Sequence, residues 1–406
     1  MTRTLFTGGH VFDGTGAPPQ PADVAVEEGR IVAVGTGLDG DDVVDCTGST
    51  VLPGLFDCHV HLMVNGLDPE GWRATPFSLP FFQAVHTMRA TLAVGITTVR
   101  DACGADLGLQ VAQQQGLIRG PRTFLSIEQL SQTGGQNDPW EPSGCLSPVF
   151  VPHPGRPDGV VDGPDQARRK VREMVRAGAN VIKIATSGGV VSPRADPRAA
   201  HFGDDEVAMI VREAAAAGIS VMSHAYSAEG IKIAVRNGVR SIEHGYFLDD
   251  EAIDLMLDRG SWLVPTLMAG PGTLRAAAAG MSVPEHMLAN AKLITEASMD
   301  SVRRAVAAGV KIAMGTDTGV TPHGRNLDEL PLMAACGMTH AQVLHAATLS
   351  AARLMRLDDE LGSVEPGKRA DLVVIRGGIE PDGMADRVVA VYQDGELVHQ
   401  RATTGG

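Results

Sequence analysis

Cysteine is sparse in this 406-residue chain: five residues, at positions 46, 58, 103, 145 and 336, odd in number and without CxxC spacing. That excludes a disulfide framework and points to a reducing compartment. Aromatic residues make up only 4%, so Ala, Gly and Val carry much of the apolar content. No apolar run is long enough to cross a membrane, and the opening Met1-Thr2-Arg3-Thr4-Leu5-Phe6 lacks a signal-like apolar core. The expected location is the cytoplasm. Positive charge is also in deficit, with a formal net charge of −14, which argues against nucleic acid and against an anionic membrane surface as partners. A small-molecule substrate is compatible with that charge.

What is present is ordinary for a soluble globular chain: 44% hydrophobic and 20% charged residues, enough for a large core. The first 54 residues read as short strands between turns: Thr4–Thr7, Val11–Phe12, Asp23–Val26, Ile31–Val34 and Asp42–Asp45. The C-terminal stretch repeats the style at Asp371–Ile375, Arg387–Gln393 and Leu397–His399. Residues 1–54 plus 357–406 are therefore expected to pair into one small β domain. Between them, residues 55–356 alternate apolar strands with amphipathic helices, the pattern of a parallel sheet. Eight strands can be placed: Leu55–Leu62, Thr97–Asp101, Thr123–Gln129, Val181–Thr186, Ser220–Tyr226, Ser241–Tyr246, Trp262–Leu267 and Lys311–Thr316. Eight is the number of a (β/α)₈ barrel. A doubly wound open sheet is the alternative, but no GxGxxG or P-loop follows the first strand.

Chemistry-bearing residues end these strands. Asp57-Cys58-His59-Val60-His61 closes the first. Alternate strand residues share a face, so His59 and His61 project together while Cys58 and Val60 turn away. Two convergent imidazoles suit a divalent transition metal such as zinc, and Cys58 reads as a small core residue. Lys183 lies within Val181-Ile182-Lys183-Ile184-Ala185. A buried unpaired ammonium is costly, so Lys183 needs a partner or a modification, unless its amine reaches solvent at a strand edge. His224, His244 and Asp317 end three later strands. Singly, either histidine is more often a hydrogen-bonded core residue, and Asp317 an ordinary helix N-cap. Six ligand-type side chains at successive strand ends are hard to assign to packing.

These motifs resemble the amidohydrolase superfamily of metal-dependent hydrolases over nearly the whole chain. The matching stretches include Leu52-Pro53-Gly54-Leu55-Phe56-Asp57-Cys58-His59-Val60-His61, Ile242-Glu243-His244-Gly245, Gly315-Thr316-Asp317-Thr318 and Gly362-Ser363-Val364-Glu365-Pro366-Gly367. The resemblance implies an α/β fold, a distorted (β/α)₈ TIM barrel with a small β-sandwich built from both chain ends. It implies two divalent metal ions, with zinc expected: His59, His61 and Asp317 on one, His224 and His244 on the other. Lys183, carboxylated by CO₂ to a carbamate, would bridge them. A mononuclear deaminase-type site usually carries His-x-x-Glu after the fifth strand. Here the run is His224-Ala225-Tyr226-Ser227, with Glu229 too far along, which favours two metals. Homo-oligomers are common in the family.

The implied reaction is amide hydrolysis by a metal-bridging hydroxide, with Asp317 as general base and then acid. Within the superfamily the chain is most similar to Xaa-Pro dipeptidases and N-acyl amino acid carboxypeptidases, through Gln129–Asp138, His224-Ala225-Tyr226 and the run from Pro322 to Glu329. There Tyr226 would hold the substrate carboxylate, and His323 and Gln136 would contact substrate. Asn326 with Glu329 reads as a helix capping box. The subgroup usually has Gly-Gly-His-Gly-Asp where this chain has Gly134-Gly135-Gln136-Asn137-Asp138. Gln136 can hydrogen-bond a substrate but cannot carry charge near neutral pH. That departure opens a second reading: a cyclic amide, lactone, carbamate or xenobiotic amide or ester. Residues 138–163 are expected to form a pocket wall or lid. A non-catalytic scaffold is disfavoured because none of the six ligands is missing.

Overall fold

The computed structural model describes residues 2–192 and 194–401. Two β-sheets are built from the chain ends. One, four-stranded, orders Arg30–Gly35, Asp23–Glu27, Thr4–Thr7 and Asp42–Asp45. The other, six-stranded, is where both ends meet. Ser49–Pro53 runs antiparallel to Leu372–Arg376, which continues through Val388–Gln393 to Glu396–Gln400. Phe6, Val24, Val26 and Ile31 of the first sheet share one apolar cluster with Val51, Leu372, Val374 and Tyr392 of the second. Phe6 and Tyr392 meet edge to face at 4.8 Å, a geometry favoured by the ring quadrupoles. Residues 402–406, the end of the expected β unit, lie outside the described residues.

The middle of the chain holds parallel strands that are almost wholly buried, as in Leu55–Val60, Ile96–Asp101 and Val181–Ala185. Strands covered on both faces need apolar residues at nearly every position, which these have. The covering helices show the complementary pattern: Gly163–Arg176 buries Ala167, Val171 and Met174, at helical spacing on one face. The longest, Glu285–Ala308, ends where Gly309 takes the left-handed conformation (φ 87°) and turns the chain into Lys311–Ile312.

The strands form two parallel sheets rather than one continuous ring. Three strands, Leu55–Val60, Ile96–Asp101 and Arg122–Leu125, make one sheet. Six, from Gln129–Leu130 through Val181–Ala185, Ser220–Ala225, Ser241–His244 and Trp262–Val264 to Lys311–Ile312, make the other. The expected strand Thr123–Gln129 is divided because Ile127 has φ 71°, incompatible with extended backbone. The expected strand Lys311–Thr316 regularises only over its first two residues. Beyond them, the Met314 N–H donates to Ala346 O of a helix, while the Cys58 N–H donates to Met314 O. The last strand is thus brought against the first by individual bonds, and that is what assembles the site.

Candidate metal centre

His59 and His61 leave the Leu55–Val60 strand against the segment that carries Asp317. The Asp317 N–H donates to His59 O at 2.8 Å and the His61 N–H to Thr318 O at 2.7 Å. This close approach needs glycine on both flanks of Asp317. A Cβ on Gly315 would lie 2.3 Å from Val264 Cγ1 and 3.0 Å from His59 Cβ. One on Gly319 (φ 113°) would lie 2.7 Å from His61 Cβ. Asp57, buried and raised by that burial to about 6, fastens the same junction. It accepts from Thr316 Oγ1 at 2.6 Å and Asn326 Nδ2 at 2.8 Å.

The result is a convergent donor set. Asp317 Oδ1 stands 3.1 Å from His61 Nε2 and 3.5 Å from His59 Nε2. Donor atoms of His59, His244 and Asp317 all lie within 4.8 Å of one another. The His59 and His244 rings are 5.0 Å apart, and His244 and His224 are 4.6 Å apart. All six expected ligands, Lys183 among them, line one cavity of about 110 Å³.

Each imidazole has one nitrogen held from behind. His59 Nδ1 meets Glu243 Oε2 at 2.8 Å, and His244 Nδ1 meets Thr266 Oγ1 at 2.6 Å. His61 Nδ1 lies 3.3 Å from Cys103 O, and His224 Nε2 lies 3.0 Å from Gly188 O. Anchoring one nitrogen leaves the other free to ligate, the support that metal-bound histidines require. Burial pushes His59, His224 and His244 well below the ordinary histidine value, so their lone pairs are available. Burial pulls His61 the same way, but Cys103 and Asp317 outweigh it. Burial alone would raise Asp317. The hydrogen bond from His61 and the positive charges nearby hold it below the usual carboxylate range. Lys183 is 1% exposed, and burial lowers its pKa to about 8. Its amine makes no hydrogen bond or ion pair among the described residues, while the charges of Glu243 and Asp317 act on it. Four imidazoles, one carboxylate and one amine form a donor set that fits divalent metal once the nitrogens have given up their protons.

Of the expected substrate contacts, Tyr226 and Gln136 line the cavity. Tyr226 stacks on Tyr246 at 4.9 Å, and the Gln136 carboxamide oxygen is buried with no hydrogen-bond partner. The structure does not bring His323 there. Its Nε2 lies 3.1 Å from His61 O and its Nδ1 3.4 Å from Thr91 Oγ1, so both nitrogens hold the loop. Asn326 and Glu329 are not a capping box either: Glu329 accepts from the Leu267 and Met268 N–H groups at 2.7 and 2.9 Å. Val149 and Phe150 of the expected lid do form wall. Arg156 stacks 4.7 Å from Phe150 and donates to Gly104 O, pinning that wall to the strands.

Two supporting residues escape a reading by motif. Glu243, behind His59, accepts from Arg100 Nη2 at 2.9 Å and Ser241 Oγ at 2.5 Å. The available signal was a charged residue inside each of two otherwise apolar strands, which demands a partner. Arg100→Met would remove the cation that hydrogen-bonds the buried Glu243 carboxylate. The expected destabilisation is about 3–5 kcal/mol, read as a lower urea midpoint at unchanged m-value. A shift under 1 kcal/mol would mean that the pair does not support the site.

With this geometry in view, the chain's class is defined: it belongs to the amidohydrolase family, whose model matches residues 50–398. It is a hydrolase acting on carbon–nitrogen bonds, in a family that is typically metal-dependent. Ochratoxinase of Aspergillus niger is 31% identical over 417 aligned positions, covering 97% of this chain and 84% of that one. A crystal structure of a Xaa-Pro dipeptidase with bound methionine in its active site superposes with a TM-score of 0.90 at 33% identity. It covers 98% of this chain and all of its own. A prolidase complexed with N-methylphosphonate-L-proline gives the same TM-score at 35% identity and the same coverage. Among the described residues no helix is long and apolar enough to cross a membrane.

Proposed function

We propose that this protein is a binuclear metal hydrolase that cleaves the amide bond of a dipeptide or an N-acyl amino acid. The observation that carries the reading is the set of four imidazoles, each tethered from behind at one nitrogen, that converge with Asp317 and Lys183 on one cavity. The names of the similar proteins, ochratoxinase, Xaa-Pro dipeptidase and prolidase, point the same way. In this reading the parallel strands of 55–356 are a distorted (β/α)₈ barrel, and 1–54 with 357–406 a β-sandwich domain. His59, His61 and Asp317 would hold one metal and His224 and His244 the other, and Lys183, as a carbamate, would supply oxygen ligands to them. Bound metals would acidify the attacking water and polarise the scissile carbonyl. Asp317 accepts the water's proton and delivers it to the leaving nitrogen. Tyr226 orients the substrate, and Leu67, Trp72, Phe150 and Ile294 receive its apolar part.

Gln136 favours a second reading on the same site. Its buried oxygen lacks a partner, and Lys183 is the only Lys or Arg among the described residues lining the cavity. An uncharged lactone, carbamate or cyclic amide fits those facts without an ion-pair partner. Free amino acid release from a mixed set of N-acyl amino acids and dipeptides, by zinc-loaded enzyme, separates the two. Release establishes the peptidase-type reading, while turnover confined to uncharged substrates replaces it. Gln136→His restores a group able to carry charge, so KM for carboxylate-bearing substrates should fall about tenfold, with kcat little changed. An unchanged KM would remove Gln136 from substrate contact.

A further inference from the structure

At the opposite ends of the same strands lies a second, unrelated cluster. Arg240 immediately precedes Ser241–His244, Trp262 opens Trp262–Val264 and Lys311 opens Lys311–Ile312. Trp262 is in register with Ser241 on one side and Lys311 on the other. The Arg240 guanidinium sits 4.6 Å from the Trp262 ring centroid and the Lys311 ammonium 4.5 Å. Arg353 and Arg356 come in from the helix Leu349–Met355 and its cap. Together with Met338 they line a cavity of about 570 Å³.

The charges here are not neutralised. Four cations line the cavity against a single carboxylate, Asp358. Elsewhere cations are commonly matched, as in Arg236 with Asp204, Arg369 with Asp394 and Lys232 with Asp249. Among the described residues, Arg240, Lys311, Arg353 and Arg356 form no ion pair. Arg240 donates to Leu354 O and Arg353 O, both at 2.7 Å, which is helix-end capping. Capping accounts for less of the rest. Lys311 reaches Gly260 O at 3.2 Å and Arg356 reaches Gly218 O at 3.4 Å, while the Arg353 guanidinium bonds nothing. Like charges gathered in a chain of net charge −14 repel one another, and an anion between them would relieve that repulsion.

We propose that this basal cavity binds a small organic anion with at least two negative charges, a phosphate ester or polycarboxylate. Its oxygens face Arg240, Lys311, Arg353 and Arg356, and its apolar body rests on Trp262 and Met338. Arginine is suited to such oxyanions through its planar fork. The test is calorimetric titration of the full-length, metal-loaded protein with inorganic phosphate, pyrophosphate and citrate, repeated on metal-free protein. Expected is binding of pyrophosphate, citrate or both that survives metal removal and weakens as salt rises. Arg353→Gln with Arg356→Gln should weaken it at least tenfold. Both side chains are exposed, so folding should tolerate the change, and Lys311→Met provides an independent variant. Absence of binding by all three anions would overturn the proposal. So would binding that vanishes with the metals, or that ignores both sets of substitutions.

Discussion

Asp317→Asn is expected to lower kcat by about 10²–10⁴, the range contributed by a well-placed general acid or base. Asparagine keeps the shape and can still accept a hydrogen bond from His61, now 3.1 Å from Asp317 Oδ1. It cannot take the proton of the attacking water, nor return one to the leaving nitrogen. The backbone that holds position 317 is unaffected, since it bonds His59 O through its N–H and is shaped by flanking glycines. KM should therefore move less than kcat, the pattern of an interaction made mainly in the transition state. Because Asp317 is also a proposed ligand, the rate must be expressed per metal bound, with metal content measured on the same samples. Full kcat at full metal content would show that another group moves the proton, and would end the role assigned to Asp317.

The convergence of these six side chains on one cavity was legible in sequence because they lie in or just after apolar strands, and strand parity tells which neighbours share a face. His59 and His61 with Cys58 turned away is that argument in its simplest form; Cys58 packs with Phe56, Trp262 and Val264. The anchors behind these histidines were not legible, because they are tertiary. Glu243 lies 184 residues from His59, and Asn326 lies 269 from the Asp57 it bonds. Local pattern failed where a residue serves a distant partner: Asn326 and Glu329 have capping-box spacing, yet both serve other segments. His323 failed in the same way, its nitrogens being spent on the loop. Nor does any propensity disclose that His244, Thr266 and Asp317 take positive φ (75°, 46° and 61°). These are strained conformations for side-chain-bearing residues, held by the surrounding structure. The irregular end of the last strand was hidden for a related reason. Lys311–Thr316 reads as one strand in sequence, but beyond Ile312 its bonds go singly to Leu263 O of the preceding strand, to a helix end and to the first strand.

Lys183 supplies the other large effect, and its sign differs between stability and activity. Burial takes the amine from the ordinary 10.5 to about 8 in the folded, metal-free protein. Below pH 8 it is protonated in both states, and the folded state bears the whole cost of burying it. For a shift of this size that is about 3 kcal/mol. Between about 8 and 10.5 the unfolded chain holds the proton that the folded chain has lost, so stability rises with pH across that window. Lys183→Met keeps a long unbranched side chain and removes the charge. The metal-free variant is therefore expected to be more stable than the parent at pH 7, by about 1–3 kcal/mol after imperfect packing is allowed for. It should also lose the rise between pH 8 and 10.5. Hydrolysis should fall to background, because the proposed bridging ligand has gone. Added zinc should then invert the order, since ligand binding to the folded state stabilises the parent by mass action while the variant retains at most weaker sites. Urea unfolding of both proteins at pH 7 and 9.5, with and without zinc, reads all of this at once. A metal-free variant less stable than the parent at pH 7, with its pH slope intact, would mean that the Lys183 amine is already satisfied in the fold. The site would then lack the unsatisfied group that makes it ready for metal and carbamate.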